Sequence, residues 1–505
     1  MAKTTGFDND KYLHDQTAAI LERVGSHKSK LYLEFGGKIL FDYHAARVLP
    51  GFHPNTKMQL LQQLKDNTDV ILCIYAGDIS RKKIRADFGI TYDSDALKSI
   101  DDFSNWGIEI RAVVITRYDN QQSVKTFRNK LERRGIKVYM HRFTEGYPTD
   151  VDKIVSEQGY GANPYIETDK PIVIVTGPGP GSGKLATCLS QVYHEYKRGN
   201  IARYAKFETF PIWNQPLDHP VNVAYEAATA DLQDVNLIDH FHLKAYDQVA
   251  VNYNRDIEAF PILQRIIERI THESLCYQSP TDMGVNKAGF SIIDDAVVQE
   301  AARQEVVRRY FRYACEYVMG FAEKKTVQRV ELLMKNLNVT VENRSVVEPA
   351  RQAAVLAQQK GKGNKGISCG AAIELPDGSI VTSENSPLMH AASALILNAA
   401  KQLAQIPHTI DLLPLNIIES LSHFKKEIYK GRTASLDLNE TLIALSISAT
   451  MNPSAQIAVD KLKDLNGCEV HMTHIPTPGD ATGMRKLGVN LTSDPDFSTK
   501  ELFVG

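Results

Sequence analysis

PIVIVTGPGPGSGK, at residues 171–184, joins an apolar run to a glycine-rich turn. The run up to Thr176 is short, continuous and rich in β-branched residues, which is typical of a strand buried on both faces of a sheet. The residues after the turn, 185–197, have helical periodicity, and Gly199 closes that pattern. The order predicts a strand, a glycine-rich loop and a helix, the unit from which parallel α/β sheets are built.

The glycine-rich loop has the composition of an anion-binding site. The first N–H groups of a helix and its dipole attract anions, glycines let a phosphate approach the backbone, and a lysine adds a positive charge. We therefore expect a nucleotide or phosphate ligand to be bound by Gly177, Gly179, Gly181, Ser182, Gly183 and Lys184, with Glu208 on the next predicted strand as a candidate partner of a ribose hydroxyl. The alternative is a tight strand-to-helix turn with no ligand.

The loop departs from both common phosphate-binding patterns. In the pattern Gly-x-x-x-x-Gly-Lys-Ser/Thr, Pro178 stands at the first glycine and Leu185 at the hydroxyl that holds Mg²⁺. In the pattern Gly-x-Gly-x-x-Gly, Ser182 stands at the third glycine. The cofactor, the role of Mg²⁺ and the hydrolysis of a nucleotide therefore stay open.

Polar residues beyond the loop supply candidate catalytic groups. Lys206 and Glu208 alternate along a predicted strand, so they share one face, and the carboxyl ends of parallel strands point at the ligand crevice. An ion pair on a strand edge is the alternative for these two residues. Arg255 precedes a helix and is a candidate clamp for a carboxylate or a phosphate, and Asp282, in a polar loop, is a candidate general base or metal contact. The predicted catalytic residues are Lys206, Arg255 and Asp282, and no metal site is predicted.

Strand and helix patterns alternate on both sides of the loop, and two apolar runs around Pro376-Asp377-Gly378 predict a β-hairpin. The predicted fold class is α/β, with Rossmann-like parallel sheets in the first two segments and an α+β C-terminal domain opened by the hairpin. The run KGKGNKG favours a linker. The predicted domains are a Rossmann-like α/β domain at 1–165, a P-loop-like α/β domain with long helices at 166–340, a linker at 341–366, and the α+β domain at 367–505.

Composition excludes several functional classes. The 505 residues carry 58 Lys and Arg against 60 Asp and Glu, a net charge of −2, so bulk nucleic-acid binding is not expected. The six cysteines include no Cys-x-x-Cys pair, no run approaches about 18 apolar residues, and no secretory signal pattern opens the chain. We expect a cytoplasmic protein whose partner is a small phosphorylated molecule rather than a membrane, and a homo-oligomer stays open.

Long motifs resemble an uncharacterised bacterial family of conserved hypothetical proteins, of the kind called a domain of unknown function. The resemblance covers nearly the whole chain and includes LEFGGKILFDYHAARVLPGF (33–52), VTGPGPGSGKLATCLSQVY (175–193), YAKFETFPIWNQPLDHPVN (204–222) and GAAIELPDGSIVTSENSPLMHAASALILNAAK (370–401). It implies no established activity. Some members carry the label ATP-dependent peptidase, which this sequence does not support, because it has neither a His-Glu-x-x-His motif nor a Gly-x-Ser-x-Gly elbow.

Whether the chain is an enzyme stays open at this point. If it is one, the leading hypothesis is a phosphate-handling transferase or hydrolase, with kinase-like group transfer as the most natural chemistry for this order of elements. The alternative is a non-catalytic ligand-binding or assembly protein with an anion-binding loop.

Overall fold

The computed structural model describes residues 5–24, 29–85, 89–431 and 433–499. The chain forms two compact units, one within Thr4–Ala302 and the other within Arg303–Gly505. The strands of the first unit are β1 (Lys30–Phe35), β2 (Thr68–Tyr75), β3 (Ile84–Arg85), β4 (Ile90–Thr91), β5 (Ile110–Thr116), β6 (Val138–Met140), β7 (Ile172–Thr176), β8 (Ala202–Phe207), β9 (Asn236–Ile238), β10 (Val251–Tyr253) and β11 (Gly284–Val285).

The helices that accompany these strands are α1 (Asn9–Val24), α2 (Tyr43–Val48), α3 (Thr56–Leu64), α4 (Ala76–Ser80), α5 (Tyr92–Asn105), α6 (Gln122–Glu132), α7 (Val151–Ile154), α8 (Lys184–Lys197), α9 (Pro220–Ala228), α10 (His240–Tyr246), α11 (Asn254–Thr271) and α12 (Pro280–Met283). The next helix, α13 (Asp295–Val318), begins in the range of the first unit and continues into that of the second. Within the described residues, seven strands form one parallel sheet in the order β11-β8-β1-β7-β2-β5-β6. β7 is the central strand of this sheet. All five of its side chains are buried, as expected for a strand whose two faces are both covered.

The second unit contains α14 (Lys324–Asn336), α15 (Val347–Gln359), β12 (Gly370–Glu374), β13 (Ile380–Glu384), α16 (Ala391–Leu403), α17 (Leu415–Glu427), α18 (Leu438–Ala449), α19 (Pro453–Lys461), β14 (Glu469–Met472), α20 (Pro478–Leu487) and β15 (Asn490–Ser493). Its sheet has the order β13-β12-β14-β15, in which β12 is antiparallel to both neighbours and β14 is parallel to β15. The predicted fold class, including the hairpin β12–β13, is confirmed.

One predicted boundary divides a single sheet, and the predicted linker contains a helix. The boundary at 165/166 separates strands that lie side by side, because β7 is inserted between β1 and β2 of the same sheet. The segment predicted as a linker, 341–366, contains the helix α15, whose buried residues Val347, Ala350, Ala353 and Ala357 follow helical spacing. The Lys-Gly run occupies only the residues after that helix.

Candidate functional site

The glycine-rich loop leaves the sheet at its topological switch point. After β7 the chain continues to β8, towards the β11 edge of the sheet. After the neighbouring strand β2 it continues to β5, towards the β6 edge. In open α/β sheets, ligands bind at the carboxyl ends of the strands where the connections diverge in this way. The fold therefore puts residues 177–183 in the position at which a ligand is expected.

The backbone of the loop depends on two of its glycines. Gly183, the residue before α8, has φ +88°, and a Cβ built on it would lie 2.7 Å from Thr116 Cγ2. Gly177 packs so closely that a Cβ there would lie 2.5 Å from the Cys73 carbonyl oxygen. The Thr116 hydroxyl donates to the Ser182 carbonyl oxygen at 2.8 Å. The loop is thus held against the ends of β2 and β5 in a conformation that presents the N-terminus of α8.

Two cations lie at this loop. Lys184 Nζ is 3.5 Å from both the Gly179 carbonyl oxygen and Ser182 Oγ, so the ammonium group lies beside the loop. The Arg117 guanidinium donates to the Gly181 carbonyl oxygen and stacks on the Tyr75 ring, 3.6 Å from its centroid. Among the residues that the structure describes, no carboxylate forms a salt bridge with Lys184 or Arg117. Both charges are therefore available to an anion.

The first turn of α8 does not offer a hydroxyl for Mg²⁺. Leu185 stands at the position that a magnesium-binding hydroxyl would take. The Thr187 side chain, the next hydroxyl along the helix, is fully buried and accepts a hydrogen bond from Cys73 Sγ at 3.4 Å. A phosphate held here would be neutralised by Lys184, Arg117 and backbone N–H groups.

Lys206 and Glu208 lie two strands away, at the end of β8, in a buried network. Lys206 Nζ is 2.8 Å from Glu208 Oε1, and it also contacts Asp256 Oδ2 and the Tyr253 hydroxyl. The Tyr253 hydroxyl donates to Glu208 Oε1 at 3.1 Å. The sequence-based expectation that Lys206 and Glu208 share a face is met, and the two also form an ion pair.

Burial sets the proton affinities in this network. It raises the pKa of Glu208 to about 7, with the charge of Asp256 adding to the effect and the Lys206 ammonium opposing it. Burial disfavours the charge of Lys206, but the carboxylates of Asp256 and Glu208 outweigh it and raise the pKa of that ammonium. Glu208 is thus a carboxyl that changes protonation near neutral pH, as general bases do.

The other predicted catalytic residues, Arg255 and Asp282, form no hydrogen bond or ion pair with Lys206 or Glu208 among the described residues, although the Arg255 guanidinium lies 5.4 Å from the centroid of the Tyr253 ring. Arg255 forms an ion pair with Asp234 at 2.9 Å, and burial raises the pKa of Asp234 although Arg255 opposes this. Asp282 accepts from the Tyr246 hydroxyl at 2.8 Å and from the Gln278 backbone N–H at 3.0 Å. None of the contacts of Asp282 among the described residues involves Lys206, Arg255 or the loop.

Family models cover the chain from residue 5 to residue 503. The model described as domain of unknown function DUF1846, N-terminal, matches residues 5–338, and its C-terminal counterpart matches residues 342–503. The chain belongs to the DUF1846 family. The resemblance to an uncharacterised family is confirmed.

Relatives of this DUF1846 protein match it over its full length. A UPF0371 protein of Clostridium botulinum (strain Langeland) is 56% identical over 499 residues, which is 99% of each chain. A UPF0371 protein of Clostridium tetani (strain Massachusetts) is 54% identical over 498 residues, again 99% of each chain. Neither description names an activity.

Neither a membrane-spanning helix nor a metal-binding cluster is present in the described residues. In the described part of the chain, no helix is both long and apolar enough to cross a bilayer. In the same residues, no group of three or more His, Cys, Asp or Glu side chains is arranged to hold a metal ion.

The structure adds residues that the sequence did not single out. Arg117 directly follows β5, and its position one residue past a buried strand was the available signal. Tyr253 and Asp256 flank Arg255 in the sequence, but only the tertiary fold shows that they, rather than Arg255, contact Lys206.

Proposed function

We propose that the protein binds the phosphate group of a phosphorylated small molecule or nucleotide at the loop 177–184. The observation that carries the proposal is the pair of cations, Lys184 and Arg117, at the N-terminus of α8, with no carboxylate partner among the described residues. A helix N-terminus with flexible glycines and such charges is a suitable site for a dianion. In this proposal the phosphate is not held through a Mg²⁺ on a hydroxyl of α8, since Leu185 and the buried Thr187 do not supply one.

Kinase-like group transfer is the activity that we propose for this edge of the sheet. The supporting observation is Glu208, a buried carboxyl with a pKa of about 7 at the end of β8, on the same edge as the loop. Lys206 and Tyr253 orient this carboxyl.

The six cysteines form no disulfide, which supports a reducing compartment such as the cytoplasm as part of the proposal.

A non-catalytic binding protein is the second candidate function. It is favoured by the ion pairs of Lys206 with Asp256 and of Arg255 with Asp234, because these two cations are already neutralised and so are poorly suited to stabilise a transferred phosphate. In this case the loop would hold its ligand without turnover.

Ligand-induced stabilisation tests the proposal. The thermal unfolding of the protein is measured with phosphate, pyrophosphate, ATP, GTP, NAD and sugar phosphates, each with and without Mg²⁺. A ligand at about 100 times its Kd adds about 2.7 kcal/mol to the free energy of unfolding. We expect stabilisation that is independent of Mg²⁺, lost in Lys184→Ala and kept in Lys125→Ala, which removes an exposed lysine of α6.

The outcomes separate the hypotheses. If no phosphate compound stabilises the protein, or if Lys184→Ala responds like the wild type, the loop is not the site. Stabilisation without turnover of any phosphoryl donor in the presence of candidate acceptors favours the binding protein.

A further inference from the structure

One oxygen of the Glu208 carboxyl is left without a donor. Oε1 accepts from Lys206 Nζ and from the Tyr253 hydroxyl, at 2.8 and 3.1 Å. No donor among the described residues lies within hydrogen-bond distance of Oε2, although the side chain is only 8% exposed. Solvent reaches Oε2, because the protein does not enclose this oxygen, and the donor of a ligand can replace water there. Glu208 Oε2 is therefore a candidate contact for a ligand.

Glycines keep the space around this oxygen open. A Cβ built on Gly284, in the neighbouring strand β11, would lie 3.2 Å from Glu208 Oε2. On the other side, Gly36 directly follows β1, and a Cβ built on it would lie 2.9 Å from the Phe207 carbonyl oxygen. A side chain at 284 would therefore cover Oε2, and glycine leaves it uncovered.

The register of the sheet gives the separation between Glu208 and the loop. Glu34 in β1 pairs with Val175 in β7 and with Lys206 in β8. Two residues further on, Gly177 and Glu208 are at the same level, with Gly36 between them. Because neighbouring strands are about 4.8 Å apart, the two backbones are separated by about 10 Å. No side chain projects from Gly36 into this interval.

The groups around Glu208 suit a polyhydroxy compound. An ionised carboxylate can only accept hydrogen bonds, so it selects a donor such as a hydroxyl. The Tyr253 hydroxyl donates to the other oxygen, Oε1, so Oε2 is the oxygen left for a ligand. The site thus combines an acceptor with a phosphate loop whose backbone lies about 10 Å away.

We propose that the ligand is a sugar phosphate, whose phosphate lies on the loop at Lys184 and one of whose hydroxyls donates to Glu208 Oε2. This inference rests on the proposed function. It adds the class of compound attached to the phosphate and identifies Glu208 as the residue that selects it. The ribose of a nucleotide offers the same hydroxyl chemistry, and the experiment distinguishes that source.

Binding measurements with four probes test the inference. Inorganic phosphate, ribose 5-phosphate, glucose 6-phosphate and AMP are titrated calorimetrically at pH 8, where Glu208 is ionised. We expect a sugar phosphate to bind the wild type about tenfold or more tightly than phosphate does, the gain typical of a hydrogen bond to a charged group. Glu208→Ala loses this gain and keeps phosphate binding, whereas Lys184→Ala loses both.

A second variant tests the same contact without removing the carboxyl, in case Glu208→Ala does not fold. Gly284→Ala keeps every charge, and the φ of −72° at Gly284 is compatible with alanine, yet the added methyl group covers Oε2. It should also lose the sugar gain and keep phosphate binding. A gain that depends on Glu208 for AMP and ribose 5-phosphate but not for glucose 6-phosphate supports the contact and identifies ribose as its source.

Two results overturn the inference while the proposed function stands. In the first, phosphate binds in a Lys184-dependent manner but no sugar phosphate binds more tightly. In the second, the gain persists in both Glu208→Ala and Gly284→Ala. Failure of all four probes to bind the wild type would instead remove the proposed function itself.

Discussion

Gly183 allows a residue-scale test of the loop conformation. Alanine at this position would have a left-handed backbone, which costs about 1–2 kcal/mol, and its methyl group would also lie 2.7 Å from Thr116 Cγ2. Gly199 is a matched control, because it has φ +79° but no atom within 4 Å of a built Cβ. We expect Gly183→Ala to lower the free energy of unfolding by at least about 1 kcal/mol more than Gly199→Ala.

Tryptophan fluorescence during urea unfolding measures this difference. Both tryptophans, Trp106 and Trp213, belong to the unit within Thr4–Ala302, so the signal reports the unit that contains the loop. Equal losses in the two variants would contradict the close packing of Gly183 on Thr116.

The protonation of Glu208 gives a pH-dependent prediction. Its pKa is raised from 4.5 to about 7 in the folded chain, so between these values the folded state holds a proton that the unfolded state has released. The free energy of unfolding therefore falls as pH rises from about 4.5 to 7, by at most about 1.4 kcal/mol per pH unit. Glu208→Gln cannot titrate, so the stability of the wild type relative to this variant should fall across the window. A constant difference from pH 4.5 to 8 would show that the carboxyl has an ordinary proton affinity.

The sequence located the candidate site residues better than their partners. The positions of Lys184 and Glu208 beyond buried strands could be predicted because each lies at a fixed offset from such a strand, and offsets are local information. Arg117 was missed because it reaches the loop from β5, two strands away. Asp282 was assigned a role that depends on neighbours, and its contacts with Tyr246 and Gln278 involve pairings that no local pattern encodes.

At the scale of elements, periodicity predicted the strands that are fully buried. The bounds of β7 agree with the predicted apolar run that ends at Thr176, since a short continuous run of this kind is typical of a strand buried on both faces. The helix α15 was missed because its buried face consists mostly of alanines, whose helical spacing is a weak hydrophobic signal beside the Lys-Gly run. The position of β7 between β1 and β2 was also beyond the sequence, because strand order depends on non-local pairing.

Asp480 allows an element-scale test in the second unit. Its buried carboxylate accepts from the Leu438 N–H at 2.9 Å and from the Thr477 hydroxyl at 2.8 Å, and it pairs with His390 at 2.8 Å. These three residues lie at the N-termini of α18, α20 and α16. We expect Asp480→Ala to loosen the first turns of all three helices, because each loses a buried partner.

Hydrogen exchange detects this loosening. Peptides that cover the starts of the three helices should exchange at least about tenfold faster in Asp480→Ala, since a loss of 1.4 kcal/mol corresponds to a factor of ten. Asp460→Ala, which removes an exposed carboxylate of α19, serves as the control. Acceleration restricted to α20 would mean that the carboxylate does not join the three helices.

At the scale of the whole molecule, charge determines how a phosphate is attracted. The net charge of −2 provides no long-range positive field, so the proposed affinity for an anion must come from local contacts, for which the loop is our candidate. Contact pairs lie well inside the Debye length of about 10 Å at 0.1 M salt, and partly buried pairs are screened less than exposed ones. Binding at Lys184 and Arg117 should therefore depend only weakly on salt.

Titration of pyrophosphate at two ionic strengths tests this prediction. Between 0.05 and 0.3 M NaCl we expect the affinity of the wild type to fall by less than about tenfold, because the screening acts on one local contact rather than on an extended field. Arg117→Ala should weaken binding at both salt concentrations by a similar factor, since it removes a contact. A steep dependence on salt, of the kind produced when many counterions are released, would instead indicate an extended basic surface and would place anion binding away from the loop.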